Sequence, residues 1–257
     1  MTTPIAIGTR PRTSARAALW RRELLALPRR RPKLLALLVV AGIVPLVTAL
    51  AGHPMAAAVL AWQVALFGAV VLGLAPMSGI VSEELSRGLV LFWAQKGRSV
   101  RRFYLERYLA RQGAVLGAVA VLLALITAVP LVGGDVPWGT IRSLIVVVPL
   151  VALLLASIVF AMSSMGLSRD VLATLTYLLV SGLIAFNLRG RAGVQWDVAR
   201  TLLFPFDGIG ALYFGGESSN PWRAAATLIG QIIAWSAIGW YVVDRAARAR
   251  LAQGSAT

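Results

Sequence analysis

The chain has no cysteine, one histidine and two lysines in 257 residues. Without cysteine there is no disulfide framework, no thiolate nucleophile and no cysteine metal site. His53 sits in the segment GHP with no second ligand type beside it, so a zinc site or histidine-based catalysis has little support, and no metal site is expected. Neither Lys33 nor Lys96 follows a glycine. No G-x-x-x-x-G-K-[ST] loop exists, and the chain is not expected to hydrolyse ATP or to act as an enzyme itself. Charge is also scarce: 14% of residues are Asp, Glu, Lys or Arg, against about a quarter in a soluble domain. The acids Asp135, Asp197, Asp207 and Glu217 are scattered rather than clustered.

What the chain has in quantity is hydrocarbon. Hydrophobic residues make up 58% of it, more than one soluble core of this length can hide. Six apolar runs are long enough, or nearly so, to cross about 30 Å of lipid: 34–51, 55–81, 113–134, 143–167, 171–188 and 222–243. The expected fold is all-α, a polytopic membrane protein of about six transmembrane helices. Pro45, Pro76, Pro130 and Pro149 fall in these runs, where neighbours can satisfy the freed carbonyls; kinks are expected there.

The net charge of +15 invites a nucleic-acid reading, but the placement of the charge argues otherwise. With the N-terminus inside, twenty Arg and Lys residues fall on one side of the membrane and five on the other. This is the positive-inside pattern. It places both termini in the cytoplasm and needs no nucleic acid. The division is then a cytoplasmic N-terminal tail with an amphipathic helix (1–33), a six-helix membrane domain (34–243) and a cytoplasmic tail (244–257). From about Ser14, Ala17, Trp20, Leu24 and Leu27 form one helical stripe, with Arg21 and Arg22 mostly off it. That pattern suits either an interfacial helix, with Trp20 at headgroup depth and Arg21 and Arg22 toward anionic lipid, or a plain basic anchor. The external segment 189–221 is apolar but broken by Pro205 and four glycines from Gly208 to Gly216; it reads as re-entrant or interfacial.

Within the runs as delimited, no acid or base lies near a midplane, which disfavours an ion-coupled carrier. Most of the polar residues there, such as Ser157, Ser163 and Ser236, read as contacts between helices. Gln63 and Gln231 are the candidates for a translocation path. GAVLG at 113–117 is a GxxxG that permits close helix approach.

The densest charge lies in 82–112, which includes SEELSRGLVLFWAQKGRSVRRFYLERYLAR. Leu85, Leu89, Phe92 and Trp93 fall on one helical face. Ser82 is placed to cap that helix, with Glu83 and Glu84 at the favourable end of its dipole. A second helix from Ser99 leads into the third span. Periodicity alone leaves open whether the amphipathic face lies on lipid or on another protein.

This stretch resembles the segment after the second span in permease subunits of ABC-2 type ABC transporters, which carry a pattern like E-E-x-x-x-G-T-L-E. Glu83, Glu84 and Gly88 fall on the acidic pair and the glycine. Leu89 and Leu91 replace the Thr and the last Glu, Gly97 stands near the usual Pro, and Arg107 falls near the usual Lys. The resemblance implies an exporter subunit in a bacterial plasma (inner) membrane, paired with a second permease copy or paralogue. It implies no cofactor on this chain, with ATP and Mg held by a separate cytoplasmic ATPase. It makes 82–112 the ATPase-coupling loop, through Glu83, Glu84, Arg87, Gly88, Phe92, Trp93, Arg98 and Arg107. The alternatives are a membrane-embedded lipid-modifying enzyme and a non-transporting membrane anchor.

Overall fold

The structure, a computed structural model, describes residues 12–25, 29, 31–86, 99–133, 138–167, 169–188, 193, 195–196, 199 and 221–254. Its elements are α-helices: α1 (Arg12–Leu24), α2 (Pro32–Leu50), α3 (Pro54–Leu74), α4 (Ser82–Ser86), α5 (Val100–Thr127), α6 (Trp138–Ser164), α7 (Asp170–Asn187) and α8 (Pro221–Gly254). A short 3₁₀ turn, Pro130–Val132, follows α5. Six of the helices are long and apolar enough to cross a membrane: α2, α3, α5, α6, α7 and α8. The chain is a multi-pass membrane protein of the all-α class.

Local sequence sets the helix ends. Pro32 and Pro54 stand in the first turns of α2 and α3, where the missing N–H costs nothing. Ser99 caps α5, its Oγ accepting the Arg102 N–H at 3.4 Å. Pro45 and Pro149 lie inside continuous helices, whereas Pro76 falls in a turn and Pro130 opens the 3₁₀ turn.

The helix α6 is the axis of the bundle. Its apolar window is 72% buried, against 22–33% for the other five spans. It packs against α3, α5, α7 and α8. Close approach to α3 needs Gly73: a Cβ there would stand 2.7 Å from the Ala152 carbonyl oxygen.

Three boundaries differ from the hydropathy reading. The second run continues to 81, but α3 ends at Leu74, and 75–81 fold as turns held by side chains of other helices. The third span begins inside charged sequence, at Val100 rather than 113. At 28 residues, α5 is about 42 Å long, beyond the roughly 30 Å of hydrocarbon, so its charged turns extend past the lipid core. The last helix continues to Gly254, through most of the segment read as a tail.

Candidate functional site: a buried charge cluster around the turn after α3

The turn 75–81 leaves its own backbone groups without helical partners, and side chains from three helices supply them. From α5, Arg111 Nη1 donates to the Pro76 carbonyl at 2.7 Å and Arg107 Nη1 to the Ile80 carbonyl at 3.0 Å. From the head of α7, Asp170 accepts the Gly79 N–H at 2.7 Å and the Ser78 hydroxyl at 3.2 Å. From the end of α6, Ser163 Oγ accepts the N–H groups of Val81 and Ser82, both at 3.1 Å. Met77, Ile80 and Val81 are fully buried beneath. Gly79 has φ +70°, and a Cβ there would run into the Glu83 carboxylate, so only glycine fits this turn without strain.

The two arginines are neutralised from both sides. Glu23 of α1 accepts Arg107 Nε at 3.1 Å and Arg111 Nε at 2.9 Å. Glu84 of α4 pairs with Arg107 and accepts the Tyr104 hydroxyl at 2.9 Å. Glu23, Arg107 and Arg111 are each 3% exposed. Two carboxylates and two guanidiniums balance, as burial of charge requires. Burial pushes the Glu23 carboxyl up, but the Arg107 and Arg111 charges, the Arg111 hydrogen bond and nearby Arg22 together hold it below its ordinary value.

Deeper along α5 lies a polar knot. Tyr108 shares hydrogen bonds with Ser157 of α6 at 2.9 Å and Ser236 of α8 at 2.6 Å, and Gln112 Nε2 donates to the Tyr108 hydroxyl at 2.7 Å. Tyr108 also stacks on Phe160, ring centroids 4.4 Å apart. Gln112 Oε1 is buried with no hydrogen-bond partner among the described residues. Charge cluster and knot together tie α5 to α1, α4, α6 and α8.

Of the residues chosen from sequence, Glu84 and Arg107 meet directly, and Glu83 stands exposed beside them. Arg87, Gly88, Phe92, Trp93 and Arg98 lie outside the described residues, as does most of 189–221. Trp20 is half-buried and Arg21 and Arg22 are exposed; among the described side chains of α1, Glu23 is the buried one. Gln63 is exposed on α3, and Gln231 is buried on α8. Sequence reasoning missed Glu23, Arg111, Asp170 and Tyr104. One signal was available: Arg107 and Arg111 are one helical turn apart at the head of a long apolar helix, where unpaired cations are costly.

No family model matches the chain, and no curated protein or solved structure matches it.

Proposed function

We propose that this chain is the permease subunit of an ATP-driven, ABC-2 type transporter, working as an exporter with a separate cytoplasmic ATPase. The observation that carries the reading is the fixing of Glu84. It stands at the start of the charged loop and is bonded to Arg107 and Tyr104 of α5, while Arg107 is bonded to Glu23 of α1 and to the turn after α3. A push on the loop at 82–86 is thus delivered to α1, α3 and α5 together. A coupling element must be rigid toward the bundle and exposed toward its motor, and Glu83 supplies an exposed carboxylate on that same helix.

In this reading the charged loop faces the cytoplasm with both termini, following the distribution of Arg and Lys, and the membrane is a bacterial inner membrane. A second permease copy or paralogue completes the pathway, and ATP and Mg sit on the ATPase. Glu83, Arg87, Gly88, Phe92, Trp93 and Arg98 form the motor-facing set, and Glu84 and Arg107 the bundle-facing one. The test is affinity purification of the tagged chain in mild detergent. The expected result is co-purification of a P-loop ATPase, lost in Glu83→Ala or Gly88→Trp with membrane insertion intact. Recovery of the chain alone, with no nucleotide-binding partner, would reject the reading.

A further inference from the structure

The GxxxG of α5 is only lightly covered by the described residues. A Cβ added at Gly117 meets nothing within 4 Å, and one at Gly113 meets only Leu24 Cδ2 of α1, at 3.5 Å. Both glycines instead line an apolar groove of about 380 Å³ between α1, α2, α3 and α5. It opens to the outside of the bundle, where the lining residues Val39 and Val121 are 41% and 56% exposed.

The dimensions select the occupant. Lining positions on α5 run from Gly113 to Leu125, about 18 Å along a helix axis. That is close to one leaflet of a hydrocarbon core of about 30 Å. The groove is lined by apolar side chains and glycines and is open on the outer side of the bundle, so its length suits an extended hydrocarbon chain lying along α5.

The charge at one end selects the headgroup. Leu24 of α1 and Leu35 of α2 both line the groove, and the chain between them carries Arg29, Arg31 and Lys33, all exposed. A second copy of the chain is a poor occupant. A two-fold axis along the membrane normal sets a patch against itself, so the two basic segments would be brought together.

We infer that this groove holds one acyl chain of an anionic phospholipid, with its phosphate held by Arg29, Arg31 and Lys33. The lipid acts as a wedge between α1 and α5, beside the charge cluster. This inference stands apart from the transport reading.

The experiment is native mass spectrometry of the full-length chain, delipidated and re-exposed to phosphatidylglycerol or phosphatidylcholine with identical acyl chains. Wild type should retain one phosphatidylglycerol per chain, preferred over phosphatidylcholine by roughly five-fold per cation engaged. Gly117→Leu adds a Cβ that meets nothing within 4 Å and a side chain that should occupy the groove and lose the retained lipid. Arg29→Gln/Arg31→Gln/Lys33→Gln leaves the groove untouched and should lose only the headgroup preference. Leu183→Phe, on an exposed part of α7, should behave as wild type. Equal retention of both lipids by wild type, or lipid retention in Gly117→Leu matching wild type, would overturn the proposal. So would a Gly117→Leu variant that changes oligomeric state with unchanged lipid, which would make the groove an interface between copies.

Discussion

Glu23 and Arg111 are 88 positions apart in the chain, yet the Arg111 Nε–H donates to Glu23 Oε2 at 2.9 Å with both side chains buried. The same carboxylate takes Arg107 through its other oxygen. One residue of α1 therefore closes a four-charge cluster whose other members lie on α4 and α5. The N-terminal helix is a structural part of the bundle, docked through charge, and not only an anchor on lipid.

Removing that carboxylate should be expensive. Glu23→Gln leaves two buried guanidiniums facing a neutral amide, and breaking one partner of a buried pair costs about 3–5 kcal/mol. Arg21→Gln, two residues away on the opposite side of the helix and exposed, should change stability by less than about 0.5 kcal/mol. Thermal unfolding in detergent checks the pair. Equal midpoints for the two variants would show that the cluster contributes no stability.

The cluster also predicts a pH dependence. Glu23 is held below its ordinary carboxylate value in the folded chain, so it releases its proton more readily folded than unfolded. Its stabilisation is fully present above the unfolded value of about 4.3 and is lost as pH falls through the lower folded value. The difference in midpoint between wild type and Glu23→Gln should be constant from about pH 7 to about pH 5 and shrink below about pH 4. A difference that grows on acidification would contradict the assignment.

Asp170 should matter for a different reason. It accepts from Gly79, Ser78 and Val171, the last at 2.8 Å. Asp170→Asn replaces an acceptor by a donor against these groups and leaves a buried donor unsatisfied, at about 1–3 kcal/mol. Amide exchange should rise at Gly79 more than in the middle of α6. Unchanged exchange at Gly79 would remove Asp170 from the role of fixing the turn.

The six spans were legible because hydropathy measures what lipid requires, and the helix from Ser99 was legible as the lead-in to the third span. The cluster was not, for physical reasons. Residues 75–81 are as apolar as a span, and nothing local says that Asp170, Arg107 and Arg111 will take over their backbone groups. Arg111 and Tyr104 looked like members of a wet loop, since a window average cannot see a cation neutralised from 88 residues away. Glu23 sits between Arg22 and a run of leucines and was masked by the surrounding positive charge. Glu84 and Arg107 were both singled out as loop residues; only the fold makes them a pair.

Under the proposed function Glu84 would transmit force from an ATPase to the bundle, and one measurement tests this without knowledge of the cargo. The chain has no cysteine, so Met55→Cys on α3 and Leu183→Cys on α7, both exposed, accept spin labels cleanly. The distance between them is measured by pulsed electron resonance in the purified complex, with and without ATP. The expected result is an ATP-dependent change in distance that disappears in Glu84→Gln while the partner still binds and hydrolyses ATP. The same ATP-dependent change in Glu84→Gln, or no change in the wild-type complex, would contradict it.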